Sequence, residues 1–131
     1  MNKKVAIIAS NGGLFEGYKV FNIANAAAAT DMDVEIFFTF EGLNLIHKDM
    51  AGNLPLPEGK EHYAEGFQKA QVPSIPELAS MALEMGVKFI GCQMTMDVMG
   101  LDKEVFMEGI EVGGAVTFLE YAKDADITLS F

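Results

Sequence analysis

Five short strand-like runs divide the chain, and between them the apolar positions fall into helical spacing. Val5-Ala6-Ile7-Ile8-Ala9 is apolar without alternation, the pattern of a strand buried on both faces of a parallel sheet. Ser10-Asn11-Gly12-Gly13 then marks a turn. From Leu14 to Thr30 the apolar positions Leu14, Tyr18, Phe21, Ala24 and Ala28 predict a helix. After Asp31-Met32-Asp33 comes a second strand, Val34 to Phe40, rich in β-branched and aromatic residues, and then a short helix over Glu41 to Lys48. Ser74 and Glu77 have capping-box spacing for a helix with Ile75, Leu78, Ala79 and Ala82 on one face and Gly86 at its end. Val87 to Cys92 is a third strand, followed by a helical turn from Met94 to Met99 that Gly100 ends. Asp102 has the character of an N-cap for a helix to Met107 or Glu108. Ile110-Glu111-Val112 is a fourth strand, Gly113-Gly114 opens a helix to Lys123, and Asp126 to Phe131 is the last strand.

This alternation predicts an α/β fold, a mostly parallel five-stranded sheet with helices on both faces. Residues 1–131 are expected to form one domain, with no repeat and no linker. Met50 to Val72 is the exception: mostly polar, with Gly52, Pro55, Pro57, Gly59 and Gly66, it predicts a long irregular loop of the functional or interaction kind.

Charge narrows the partners. Nine Lys and Arg stand against 19 Asp and Glu, and a net charge of -10 argues against nucleic acid and anionic membrane. No run has the length of a membrane-spanning helix, and the apolar stretch after Met-Asn-Lys-Lys is too short for a signal peptide, so a cytoplasmic protein is expected. A lone cysteine allows no disulfide within the chain, in keeping with a reducing compartment.

In parallel sheets, ligands sit at the carboxyl ends of the strands. Those ends bring Ser10, Asn11 and Gly12, then Glu41 with Gly42, then Cys92 with Gln93, then Gly113-Gly114, to one edge. Cys92 there faces the N–H groups of a helix start, which favour the thiolate; a buried, inert small hydrophobe is the competing reading, and position alone leaves the two even. Met94, Met96 and Met99 give Cys92 an apolar, water-poor surround or serve as core and subunit contact. The Ser10–Gly13 loop lacks the dinucleotide fingerprint and is read as a plain turn. His47 and His62 are read as surface histidines, since no ligand spacing completes a metal site. No metal and no cofactor is expected.

Gly91-Cys92-Gln93-Met94-Thr95-Met96-Asp97-Val98-Met99-Gly100 resembles the cysteine motif of the DsrE/DsrF-like family. Ser10-Asn11-Gly12-Gly13-Leu14 with Tyr18-Lys19, and Val34–Phe40 followed by Glu41-Gly42-Leu43, are similar to the same family. The resemblance spans nearly the whole chain and is weakest from Met50 to Val72. It implies a three-layer α/β/α sandwich around a parallel five-stranded sheet, assembly as a homotrimer or homohexamer, and sulfur trafficking. Cys92 would carry sulfane sulfur as a persulfide between donor and acceptor proteins, with Asn11 and Gln93 as candidate donors to the terminal sulfur. The alternatives are a small-ligand-binding or assembly module with an inert Cys92, and a peroxide-reducing thiol.

Overall fold

The computed structural model describes residues 2–131. Five strands form a single parallel sheet in the order β4-β3-β2-β1-β5: β1 Lys4–Ala9, β2 Asp33–Phe38, β3 Lys88–Cys92, β4 Glu111–Gly113 and β5 Ile127–Ser130. Each register is parallel, with Ile7 opposite Ile36, Phe38 opposite Gly91, and Cys92 opposite Gly113. Among the described residues there are five α-helices, α1 Leu14–Ala29, α2 Tyr63–Ala70, α3 Ile75–Glu84, α4 Gln93–Met99 and α5 Ala115–Ala122. The expected fold class holds.

Strand alternation sends side chains to two faces. On one face lies the larger core, in which Val5, Ile7, Ile36, Phe38 and Phe89 meet Val20, Phe21 and Ala24 of α1 and Leu78, Ala79 and Ala82 of α3. On the other lies a smaller cluster of Ala6, Phe37, Ile90, Cys92 and Phe118, the last from α5. Phe118 stacks on Phe37 with ring centroids 5.6 Å apart. The capping box opens α3: Ser74 Oγ accepts from the Glu77 N–H at 3.3 Å, and the Ser74 N–H donates to Glu77 Oε1 at 3.4 Å. Gly86 follows α3 at φ 90°, a left-handed turn that glycine enters without strain.

Several expectations move. Strand β2 stops at Phe38, because Phe40 turns to φ 51° and the chain coils into a 3-10 helix over Phe40–Ile46 rather than an α-helix over Glu41–Lys48. Asp102 makes no side-chain cap bond, and the helix expected to reach Met107 or Glu108 is one 3-10 turn, Lys103–Val105. The stretch Met50–Val72 is not wholly irregular. It holds a short 3-10 turn, Ala51–Asn53, and α2, none of whose residues is buried. Ring contacts fasten α2 to α1: Tyr18 stacks on Phe67 at 4.8 Å, and Tyr63 meets Phe15 edge-on at 5.1 Å. Among the described residues no helix is long and apolar enough to cross a membrane.

Candidate functional site

Two glycines bring the loops after β1 and β2 together at the carboxyl edge of the sheet. A Cβ at Gly42 would overlap the Ala9 carbonyl, and one at Gly12 would come within 2.5 Å of the Glu41 carbonyl oxygen. The Thr39 N–H donates to Ala9 O at 3.0 Å, and the Gly42 N–H to Thr39 O at 2.9 Å. The turn after β2 is thereby locked against β1, with Thr39 and Phe40 beside the end of β3.

Cys92 closes β3 and stands at the N-cap of α4 with extended backbone, φ -70° and ψ 114°. It is 5% exposed. The Thr95 and Thr39 hydroxyls and the N–H groups of Thr95 and Met94 draw the Cys92 thiol pKa down. These are the second and third N–H groups of α4, the pair an N-cap side chain ordinarily faces. The Cys92 side chain makes no capping bond. Burial pushes the thiol pKa up, and the surrounding donors outweigh it, so the net shift is downward. The thiolate is the nucleophilic form, and the arrangement favours it without any cation.

Thr95 is the hub. Its side chain is fully buried, its Oγ1 lies 3.2 Å from Thr39 Oγ1, and it accepts the Phe40 N–H at 3.2 Å. Phe40 holds the left-handed region although it is bulky, a conformation costing roughly 1–2 kcal/mol; its ring is 55% exposed.

The residues singled out from sequence separate into different environments. Ser10 Oγ donates to Phe131 O at 3.1 Å, and the Ser10 N–H donates to the same oxygen at 2.8 Å. The strand order reverses between β1 and β5, the usual crevice of such sheets, and these bonds tie that gap together. Asn11 is exposed, as is Glu41. Gln93 Nε2 donates to Asp97 Oδ1 at 2.8 Å along the outer face of α4. Met94 and Met99 are exposed, and Met96 is buried in the core on the opposite face of the sheet from Cys92. The apolar surround of Cys92 therefore comes from Phe37, Ile90 and Phe118 rather than from the methionines. His47 Nδ1 accepts from the Asp49 and Met50 N–H groups, holding a turn. Thr39 and Thr95 escaped the sequence reading. The spacing of Cys92 and Thr95, N-cap to third helical position, was the available pointer.

Cys92, buried at a strand-to-helix turn, sits within the stretch that resembles a known motif, and the comparisons with known proteins bear on the family of the whole chain. The sequence profile of the DsrE/DsrF/DrsH-like family matches residues 1–58 and 57–130. The chain belongs to this family. It is 36% identical to the sulfur carrier protein DsrE2 of Allochromatium vinosum, over 97% of each chain. It is 30% identical to the uncharacterized protein YrkE of Bacillus subtilis, over 97% of this chain and 96% of the other. Both alignments run over 154 positions against the 131 residues here, so these relatives carry residues this chain lacks. Protein MTH1491 of Methanobacterium thermoautotrophicum shares the fold at TM-score 0.69 and 16% identity, over 99% of this chain and 100% of that one. The family thus includes a protein named as a sulfur carrier that aligns with this chain over nearly its full length.

Proposed function

We propose that this protein is a sulfur carrier in which Cys92 holds sulfane sulfur as a persulfide and passes it to a partner protein. The observation that carries the reading is the ring of neutral donors at Cys92, from Thr39, Thr95 and the first turn of α4, which lowers the thiol pKa in a site of low exposure. In loading, the Cys92 thiolate attacks the outer sulfur of a donor persulfide. An S–S bond forms on Cys92, the donor's S–S bond breaks, and the donor leaves as a thiolate. The same step in reverse sense delivers the sulfur to an acceptor thiolate, so no external oxidant or reductant enters. Burial beside Phe37 and Phe118 slows loss of the persulfide to bulk thiols, and the α4 N–H groups offset the charge of the outer sulfur. The lone cysteine favours a carrier over a self-resolving redox enzyme.

The working assembly is a homotrimer or homohexamer of one-domain subunits in the cytoplasm, with sulfur donor and acceptor proteins as partners. Cyanolysis tests the reading. Protein treated with a persulfide donor and then desalted should release one thiocyanate per chain with cyanide, and Cys92→Ala should release none. Equal release from both would sink it. A second reading, a binding or assembly module with an inert thiol, draws on the same burial of Cys92 against Phe37 and Phe118; it predicts alkylation of Cys92 only after denaturation.

A further inference from the structure

The two faces of the sheet are unequally covered. Helices α1 and α3 pack on the larger core, whereas the cluster on the Cys92 face draws on α5 alone among the helices. Of the 8 residues of α5 only Phe118 is buried; Tyr121 and Ala122 are half-buried and the rest are exposed. Phe118 stacks on Phe37 and belongs to the cluster that holds Cys92. A short helix with one anchor opens at less cost than a central strand paired on both sides, and the helix that would open here is the one that shields the thiol.

Glu35 lies under the same helix. It precedes Phe37 by two residues on β2 and so points to the same face, in register with Ala6 of β1 and Lys88 of β3. Three residues beyond Phe118 advance α5 by about 4.5 Å, and the two residues from Phe37 back to Glu35 span about 6.6 Å of strand. Tyr121 therefore follows Phe118 over the Glu35 row, and Lys4 Nζ, one row further, lies 5.4 Å from the Tyr121 ring centroid. Glu35 is 4% exposed, and neither its Oε2 nor the Tyr121 hydroxyl has a partner.

The charges around this carboxyl are engaged elsewhere. Lys88 is bridged to Glu111 of β4 at 3.8 Å, and Lys4 lies over the Tyr121 ring. On α5, Glu120 and Lys123 pair with each other at 3.1 Å, and Asp126, just before β5, is bridged to Lys3 at 3.8 Å. Asp33, the nearest acid on β2 itself, is exposed at the strand start. None of the ion pairs among the described residues includes Glu35. Such a carboxyl sits well as the neutral acid, and a charge on it is costly until water or a cation arrives. Displacing α5 admits water without breaking any strand pairing.

We propose that Glu35 makes α5 a pH-sensitive cover of the Cys92 site: with the carboxyl protonated α5 lies closed on the sheet, and ionisation of the carboxyl loosens α5 and uncovers the thiol. Burial raises the Glu35 pKa against the pull of Lys88 and Lys4, with Glu111 pushing the same way as burial. Opening returns the group to water and to its ordinary pKa, so opening grows as pH rises through the folded value. A loaded Cys92 is shielded on the acid side of that window and delivers its sulfur from the open state above it. This bearing on transfer rests on the carrier reading; the opening of α5 does not.

Hydrogen–deuterium exchange of the α5 amides, corrected for the intrinsic effect of pH, tests the cover in wild type and in Glu35→Gln, whose amide stays neutral. The two proteins should exchange alike in acid. Towards neutral pH the wild type should open more, the excess levelling off at about tenfold for each unit by which burial raises the Glu35 pKa. Lys88→Met removes a cation that faces the carboxyl and should move the onset to higher pH. The ratio of Cys92 alkylation rates, wild type over Glu35→Gln, should rise across the same window, since the titration of the thiol itself is common to both proteins. Equal α5 exchange in the two proteins at every pH would overturn the proposal, the charged carboxyl then being met with α5 in place. Excess exchange with a flat alkylation ratio would overturn the cover of Cys92. Both responses intact, with no sulfur uptake by Cys92 at any pH, would instead be the failure of the carrier reading and leave the cover standing.

Discussion

Replacing Thr95 by valine removes one hydroxyl while keeping shape and volume, and the structure fixes what is lost. Thr95 is 1% exposed, so water does not take the place of its oxygen. The thiol loses one of the groups that lower its pKa, and the Phe40 N–H and the Thr39 hydroxyl each lose a partner. A hydrogen bond to a charged atom contributes about 1.5–3 kcal/mol. Thr39 remains against the sulfur and compensates in part, which points to the lower end. About 1.4 kcal/mol is a factor of ten in the thiolate population at a pH below the midpoint. Thr95→Val should therefore alkylate with iodoacetamide roughly tenfold more slowly at that pH, and the midpoint of its pH–rate profile should lie higher than in the wild type. Thr95→Ser, which keeps the oxygen, should recover most of the rate. The Phe40 N–H left without a partner costs about 1–2 kcal/mol of stability, lowering Tm by roughly 4–8 °C. A folded Thr95→Val protein with the wild-type pH–rate profile would refute the assignment of Thr95 as a donor to the sulfur.

Other residues give independent checks. Glu35 is 4% exposed on the α5 side of β2, and its Oε2 has no partner. Burial raises its pKa, with Lys88 and Lys4 pulling it down and Glu111 pushing it up. A carboxyl whose folded pKa is raised adds stability that is complete below its unfolded pKa and lost as pH rises through the folded one. Wild type should lose stability to urea across that acidic-to-neutral window more than Glu35→Gln does; parallel curves for the two proteins would contradict the burial argument. Gly42→Ala forces a Cβ into the Ala9 carbonyl and should cost about 1–3 kcal/mol or more while loosening the Thr39–Phe40 turn, so thiol reactivity and thermal stability should both change. Phe118→Ala removes the ring stacked on Phe37 and should cost about 3–5 kcal/mol in chemical denaturation, with faster loss of the Cys92 persulfide to added thiols. An unchanged persulfide lifetime would show that α5 does not screen the site. Ser74→Ala breaks the α3 capping box and should cost about 1 kcal/mol with no effect at Cys92.

The parts of the fold set by local pattern were legible. An unbroken apolar run gives β1, and the capping box gives the start of α3 to the residue. Elements whose boundaries depend on tertiary contacts were not. Strand β2 ends early because Gly42 packs on the Ala9 carbonyl and pulls Phe40 into a left-handed turn. Helix α2 was missed because its residues bury nothing fully; aromatic contacts with Phe15 and Tyr18 hold it, and these join residues about 50 positions apart. At the site, Cys92 was legible from its place at a strand end and from a motif. Thr39 was not, since a hydroxyl on an apolar strand has no sequence pattern that names its partner. Met96 was placed beside Cys92 because it is near in sequence, yet pleat and helix phase send the two to opposite faces of the sheet.

The central claim is that Cys92 carries sulfane sulfur. Intact-mass spectrometry of reduced protein after exposure to a persulfide donor, beside Cys92→Ala, tests it most directly. The account predicts a gain of one sulfur atom per chain, reversed by mild reduction and absent from the Cys92→Ala protein. A chain that keeps its unmodified mass, under conditions in which a separate persulfide-forming protein is loaded, would contradict it.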